Sequence, residues 1–152
     1  MKRDTRIVAA VVAAIPVVIV SAATICTFAI ASGASMKWRL LFRVLCHGIP
    51  ARCLQLFDTP MPICARCTGI YVGLLAGLIA FVVLPPIQER MLRAALYVAA
   101  LPMAIDGITQ AMRLRESTNG LRVATGFAAA IVFGIWILEA VENRESPVVT
   151  IS

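Results

Sequence analysis

Four long apolar runs alternate with short charged segments along this chain of 152 residues. The first run is the most uniform, since no residue from Ile7 to Met36 carries a charge. A run of roughly 17–25 apolar residues crosses the hydrocarbon core of a bilayer as an α-helix. The pattern predicts an all-α integral membrane protein with four transmembrane helices, over about residues 7–30, 68–84, 94–112 and 123–141.

The first apolar run shares a basic start and small residues near its end with secretory signal peptides. Its length exceeds the roughly 7–15 residues of a signal-peptide core. We therefore expect it to remain as the first transmembrane helix, with Pro16 producing a tolerated kink.

A short basic segment, Lys37–Leu45, separates the first span from a proline-containing stretch. At helical spacing its apolar face consists of Trp38, Leu41, Phe42 and Leu45. Arg39 and Arg43 lie on the opposite face, which predicts a short amphipathic helix in the membrane interface. The alternative is a simple extension of the first span with snorkelling arginines. The prolines at 50, 60 and 62 then favour a stiff, non-helical loop over residues 46–67.

Composition agrees with a membrane protein, because 61% of the residues are apolar and only 14% are charged. The formal net charge is +6. Basic residues beside membrane helices set topology or meet anionic lipid headgroups, so we expect no nucleic-acid partner. The length predicts a single domain over residues 1–152, with a polar tail at 142–152.

The loop between the first two spans concentrates the metal-ligating residue types. Four of the five cysteines and the single histidine lie within residues 46–67. Thiolate and imidazole are soft ligands that favour zinc and similar divalent ions, and Cys64 and Cys67 have the two-residue gap of a metal knuckle. The predicted ligands are Cys46, His47, Cys64 and Cys67. Two adjacent residues do not easily bind one ion, so a three-ligand site with an open position is also consistent with the spacing.

Two other interpretations of these thiols stay open. The same Cys64–Cys67 spacing is typical of a redox pair, because it lowers the thiol pKa and permits a local disulfide. Small thiols also pack at membrane boundaries without any chemistry.

The third apolar run is polar at its end. Asp106, Gln110 and Arg113 follow one another at i, i+4 and i+7, which places them on one helical face. An aspartate in a span is costly unless it is paired, so it usually faces the bundle interior and serves a function. The alternative is a structural ion pair between Asp106 and an arginine.

Arginines surround the loop before the fourth span. Ser117, Thr118 and Asn119 are good helix N-cap residues, but capping does not explain the nearby guanidinium groups. Arginines beside a helix N-terminus form a natural anion site. We assign candidate catalytic roles to Asp106, Arg113 and Arg115. The candidate anion-binding residues are Arg52, Arg66, Gln110, Asn119 and Arg122.

Gly69, Gly73 and Gly77 repeat every four residues in the second span. They share one face and allow close approach of a neighbouring helix. This face could also support an oligomer.

The motifs resemble a family of small prokaryotic membrane proteins known only as a domain of unknown function. They are Cys-His-x-x-Pro-x-Arg from Cys46, Pro-x-Cys-Ala-Arg-Cys-Thr-Gly-Ile-Tyr-x-Gly from Pro62, Asp-Gly-x-Thr-Gln from Asp106 and Arg-x-Ser-Thr-Asn-x-Leu-Arg-x-x-Thr-Gly from Arg115. The resemblance covers about residues 37–134 and implies a multi-pass architecture with a shared site. This chain has Gly48 where the family has Gln and Cys53 where it has Ser, which makes Cys53 a less suitable ligand than the other three loop cysteines. The resemblance supplies no reaction.

Four spans place the Cys/His loop and the loop at 113–122 on one side of the membrane, with both termini on the other. Lysines and arginines number eight on the site face (Lys37, Arg39, Arg43, Arg52, Arg66, Arg113, Arg115, Arg122) and six on the other (Lys2, Arg3, Arg6, Arg90, Arg93, Arg144). This difference favours an inner-membrane protein with the site facing the cytoplasm.

Three functions fit these features, and none of the features decides whether the protein is an enzyme. The first is binding of, or action on, an anionic lipid headgroup or polyprenyl phosphate beside a zinc-like ion. The second is metal sensing or handling. The third is thiol–disulfide exchange at Cys64 and Cys67.

Overall fold

The computed structural model describes residues 3–144, and four long helices dominate it. They are α1 (Arg3–Ala31), α2 (Ala65–Val83), α3 (Glu89–Ala111) and α4 (Asn119–Arg144). Each is long and apolar enough to cross a membrane, which confirms the predicted all-α membrane fold with four spans. Residues 145–152 of the predicted polar tail lie outside the described residues.

Each helix begins three to five residues before its predicted start. The reason is that an apolar run marks the part of a helix inside the bilayer, whereas the polar first turn continues beyond it. The consequence matters for the site, because Cys67 and Arg122 fall inside the first turns of α2 and α4 and not in loops.

The glycine stripe of α2 packs directly on the backbone of α4. A β-carbon at Gly69 would lie 2.3 Å from the carbonyl oxygen of Val123, and one at Gly73 would lie 2.6 Å from that of Phe127. Gly77 stands in the same relation to Ile131, at 2.5 Å. The constant offset between partners shows that α2 and α4 run parallel. Their N-termini therefore lie side by side at one end of the bundle.

This packing corrects the expectation that the Gly69, Gly73 and Gly77 face serves an oligomer. The face is occupied within the chain by α4, whose own Gly126 packs against the Arg66 carbonyl oxygen in return. A second copy would therefore have to use another surface.

The other two helices flank this pair. Helix α1 packs on α2, on α4 and on residues 59–64, and α3 packs on α4. As expected, Pro16 lies within the first transmembrane helix, α1, and it is buried in the bundle. Because α3 has only one extensive helix neighbour, a cleft remains between α2 and α3.

The loop at 46–67 contains a β-hairpin that the sequence analysis did not predict. Strand β1 (Cys53–Leu56) pairs antiparallel with β2 (Thr59–Cys64), and Phe57 and Asp58 form the turn with φ of 53° and 54°. Pro50 begins a short 3₁₀-helix over Pro50–Arg52, contrary to expectation, whereas Pro60 and Pro62 keep their segment out of helix. They do not exclude a two-stranded sheet, because both of its strands are edges where a missing N–H is tolerated.

The basic segment forms a 3₁₀-helix over Met36–Val44 rather than an α-helix. Trp38 and Leu41 are exposed on it and Phe42 is buried. Arg39 does not point away as expected. One of its Nη atoms donates to the carbonyl oxygens of Gly48 and Met61, both at 3.1 Å, and so fastens the hairpin to this helix.

The glycine contact gives the first testable prediction. Gly73→Ala should destabilise the folded protein by about 1–3 kcal/mol, because the added methyl group overpacks the α2–α4 contact. Thermal unfolding in detergent measures this change. Gly120→Ala is the matched control, since a β-carbon there meets nothing within 4 Å. Equal unfolding temperatures for the two variants would contradict the parallel packing.

Candidate metal centre and anion site

Three cysteines converge where the hairpin meets α2. Cys46 follows the 3₁₀-helix, Cys64 ends β2 and Cys67 lies in the first turn of α2. Their sulfur atoms all lie within 4.8 Å of one another, and the Sγ atoms of Cys46 and Cys67 are 3.6 Å apart. Tetrahedral zinc with Zn–S bonds of about 2.3 Å requires sulfur atoms about 3.8 Å apart. The three thiols therefore fit one zinc-like ion with a fourth position open.

Backbone amides donate hydrogen bonds to two of these sulfur atoms. The Cys64 amide donates to the Cys46 sulfur at 3.2 Å, and the Cys67 amide donates to the Cys64 sulfur at 3.5 Å. Hydrogen bonds from the Cys64 and Cys67 thiols, together with the Cys64 amide, hold the pKa of Cys46 far below its usual value, at about 2. A thiolate is the form that binds metal.

His47 is not brought into this cluster. It is exposed, and the group that could hold an ion consists of the three cysteines. Successive side chains point in different directions. Gly48 turns the chain immediately afterwards with φ of 54°, and a β-carbon there would lie 2.8 Å from the Pro62 carbonyl oxygen. The four-residue ligand set of the sequence analysis is therefore reduced to three in this arrangement.

Cys53 is fully buried near the cluster but outside it. Its sulfur donates to the Ile49 carbonyl oxygen at 3.1 Å, and burial raises the pKa of its thiol to about 11. A neutral thiol with its own acceptor is a packing residue.

Asp106 is the centre of the polar network. Its carboxylate is 1% exposed and accepts from Arg66 of α2, from Arg115 at 2.8 Å and from Gln110 at 2.7 Å. Both oxygen atoms are engaged, and three segments of the chain meet there. This geometry is that of the structural ion pair considered above. No contact within the described residues supports a base or metal ligand at Asp106, so its catalytic role stays a prediction.

Arg113 leaves the helical face on which the i+7 spacing placed it. Helix α3 ends at Ala111, and Arg113 adopts a left-handed conformation with φ of 57°. Arg115 and Arg66 lie beside Asp106 in its place, and Arg66 precedes Asp106 by forty residues in the chain. The i, i+4, i+7 pattern was wrong here because it assumed that the helix continues.

A chain of hydrogen bonds links Asp106 to the hairpin. Gln110 also accepts from Arg122 Nη2 at 2.9 Å, and Arg122 Nη1 donates to Asn119 Oδ1 at 2.8 Å. Asn119 in turn donates to the Cys53 carbonyl oxygen at 3.0 Å. These hydrogen bonds connect α3, α4 and β1, so the hairpin and the polar network around Asp106 are one unit. Thr118, not Asn119, caps α4, through its hydroxyl oxygen and the Leu121 amide.

Guanidinium groups line a cavity of about 420 Å³ beside this relay. We call it the arginine cavity, and its main lining residues are Arg52, Gln110, Arg113, Arg115, Ser117 and Arg122. Glu116 is the one acidic residue in its wall. Four arginines against one glutamate leave the cavity positively charged. The buried Ser117 also lines the cavity. Its place before the fourth span predicted helix capping alone.

A second cavity of about 400 Å³ adjoins the first. We call it the thiol cleft, because all three clustered cysteines line it together with Ile70 of α2 and Met103 of α3. Arg52, Gln110 and Arg122 line both cavities. A ligand in one space would therefore touch the wall of the other. Arg66 lies on the cleft side, with its Nε buried and unpartnered among the described residues.

Comparison with known proteins identifies relatives but no activity. Residues 46–136 match the family described as predicted membrane protein (DUF2085). An uncharacterized protein of Methanocaldococcus jannaschii is 39% identical over 100 residues, covering 64% of this chain and 64% of the relative. An uncharacterized protein of Methanothermobacter thermautotrophicus is 37% identical over 90 residues, covering 59% of this chain and 81% of the relative.

The match covers less than two thirds of the length of the Methanocaldococcus relative. No solved structure matches the chain. The family match includes every clustered cysteine and every arginine of the cavity. The chain belongs to the DUF2085 family of predicted membrane proteins.

Proposed function

We propose that the protein binds the phosphate of an anionic lipid headgroup or polyprenyl phosphate in the arginine cavity, beside a zinc-like ion held by Cys46, Cys64 and Cys67. The observation that carries this proposal is the burial of Arg122 without a paired carboxylate. Arg122 is 6% exposed, and within residues 3–144 no carboxylate lies in ion-pairing distance of it. Its printed partners are the neutral amides of Gln110 and Asn119. A buried cation without a counter-charge is costly, and a bound phosphate would supply that charge.

Two further features favour an anion at this place. The parallel arrangement of α2 and α4 brings two helix N-termini together, and each carries a partial positive charge of about half a unit. Arg52 and Arg113 line the same cavity, are exposed, and have no ion pair in the described part of the chain. Planar guanidinium groups bind phosphate oxygens bidentately, which an amide or ammonium does not reproduce.

The metal ion would order the loop that forms one side of the site. The three cysteines come from the end of the 3₁₀-helix, the end of β2 and the start of α2, so one ion would cross-link all three. Arg52 lies between the first two of these ligands in the chain. Loss of the ion should therefore loosen the wall that both cavities share. A zinc ion with an open position also supplies a Lewis acid.

Thiol–disulfide exchange is the second candidate, and the closeness of the three sulfur atoms favours it. The predicted Cys64–Cys67 pair lies within 4.8 Å, and the Cys46–Cys67 pair, whose sulfur atoms are 3.6 Å apart, is a second pair that could oxidise. Metal sensing or handling remains the third candidate, in which the ion is the cargo.

We propose that the site faces the cytoplasm of an inner-membrane protein, in accord with the excess of Lys and Arg on that face and with a compartment that keeps thiols reduced. Reporter proteins fused after the hairpin turn and at the C-terminus measure this orientation. The hairpin fusion should report the cytoplasm and the C-terminal fusion the opposite side. The reverse pattern would place the site outside.

The metal site gives a prediction with internal controls. Protein purified in detergent should contain about one zinc-like ion per chain by elemental analysis. Cys46→Ser, Cys64→Ser and Cys67→Ser should each lose it, because a hydroxyl does not replace a thiolate ligand.

Cys53→Ser and Cys26→Ser are the matched controls and should retain the ion, since neither sulfur belongs to the cluster. Metal-free protein with a Cys64–Cys67 or Cys46–Cys67 disulfide in cells would instead establish the redox candidate.

The arginine cavity gives a prediction about ligand affinity. Arg52→Ala and Arg113→Ala should each weaken binding of farnesyl phosphate by roughly 10- to 100-fold, which corresponds to losing one charged contact of about 1.5–3 kcal/mol. Lys at either position should restore part of the affinity, because it keeps the charge but not the bidentate geometry. Titration at low and high salt in detergent measures these effects.

Arg93→Ala is the control, since Arg93 is exposed near the start of α3 and pairs with Glu89 at the other end of the bundle. Equal affinity of wild type and all variants would reject the cavity as an anion site.

A further inference from the structure

The thiol cleft descends into the hydrocarbon region between α2 and α3. Ile70 lies five residues beyond the first residue of α2, and Met103 lies eight residues before the last residue of α3. At about 1.5 Å per residue, these side chains lie about 7 Å and 12 Å below the helix ends that form the polar site. The cleft therefore changes from polar at its top to apolar at its bottom.

The segment 45–52 lines the upper part of the cleft. Below it, no extensive contact between α2 and α3 closes the cleft among the described residues. Arg122 of α4 contributes to its wall, while α2 and α3 each pack on α4 and form its two sides. Ile70 and Met103 are half-buried, as expected for residues that line an open cleft. In a bilayer, the open side of such a cleft faces lipid chains and not water.

The charged and apolar parts of the site are continuous. Arg52, Gln110 and Arg122 line both the arginine cavity and the thiol cleft. A free phosphate ion would use the first and leave the apolar part of the second, at Ile70 and Met103, without contact. An amphiphile would fill both, because its phosphate meets the arginines while its hydrocarbon chain covers Ile70 and Met103.

We propose that the ligand is a phosphate monoester with a long hydrocarbon chain, and that it reaches the site sideways from the bilayer through the cleft between α2 and α3. This inference rests on the proposed function, and it adds the chain-binding surface and the route. Ile70 and Met103 would recognise the chain, whereas Arg52, Arg113 and Arg122 would recognise the phosphate. Within a bilayer the hydrocarbon chain is already out of water, so its contact with Ile70 and Met103 positions the phosphate and adds no burial from water.

The test compares a chain-bearing and a chain-free ligand on the same variants in detergent. Met103→Trp should weaken farnesyl phosphate binding at least tenfold, because the indole fills the cleft. Binding of inorganic phosphate should not change. Leu101→Trp is the matched control, since this residue is exposed on the same helix and does not line the cleft. It should leave both affinities unchanged.

A second measurement is independent of how well the tryptophan variants fold. A farnesyl phosphate analogue with a photoreactive group on its chain should label wild-type peptides that contain Ile70 or Met103. Labelling confined to the outer face of α3, at Leu101 or Ile108, would overturn the inference.

The outcomes separate this inference from the proposed function. If Arg52→Ala lowers farnesyl phosphate affinity but Met103→Trp does not, the arginine cavity stands and the chain-binding cleft is rejected. If neither farnesyl phosphate nor inorganic phosphate binds the wild type, the proposed function and this inference both fail.

Discussion

A single buried carboxylate positions most of the site. Asp106 is almost inaccessible, and ionised carboxylates are tolerated in such places only when paired and hydrogen-bonded. Its two oxygens are shared among Arg66, Gln110 and Arg115, which come from α2, α3 and the segment before α4. Removing one partner of a buried ion pair costs about 3–5 kcal/mol, so these segments are held in register.

The second constraint is the close approach of α2 and α4. Glycines at 69, 73 and 77 allow the backbones of these two parallel helices to touch. First-turn residues of both helices, Arg66 and Cys67 of α2 and Arg122 of α4, then line the thiol cleft. In an antiparallel pair, one positive end would be replaced by a negative one. The fold therefore concentrates positive charge at one end of the bundle before any side chain is considered.

The thiols depend on both constraints. Cys67 is fixed by the start of α2 and Cys64 by the end of β2, whereas Cys46 follows the 3₁₀-helix. Arg39 and Asn119 fasten the hairpin to the 3₁₀-helix and to α4. These fastenings are hydrogen bonds to backbone carbonyl groups, so they do not depend on a metal ion. The three sulfur atoms would therefore be held close together before an ion binds.

The sequence predicted the spans, because the length of an apolar run has a direct physical meaning in a bilayer. It also predicted that the glycines of α2 meet another helix, although their partner α4 could not be identified. It did not predict the hairpin, since the turn uses Phe57 and Asp58 in left-handed conformations that these residues seldom adopt. The residue types of the site were recognisable, but the pairing of Asp106 with Arg66 was not.

That pairing joins residues forty positions apart, and no local periodicity reports on it. Arg113 shows the same limit, because here the local spacing predicted a contact that does not form. Its spacing from Asp106 is correct for a helix, yet α3 ends two residues before it. His47 is a third example, because it follows Cys46 directly but lies outside the group of three cysteines, so its role as a ligand stays a prediction. The direction of the chain after an element ends cannot be read from local spacing.

The most direct test of this account is a high-resolution map of the protein purified with its native lipids. The central claim is that Arg122 is buried without a carboxylate because the cavity receives a phosphate. The account predicts density for a phosphate within hydrogen-bonding distance of Arg122 in the arginine cavity. A cavity that contains only water, with Arg122 paired to Glu116, would contradict it.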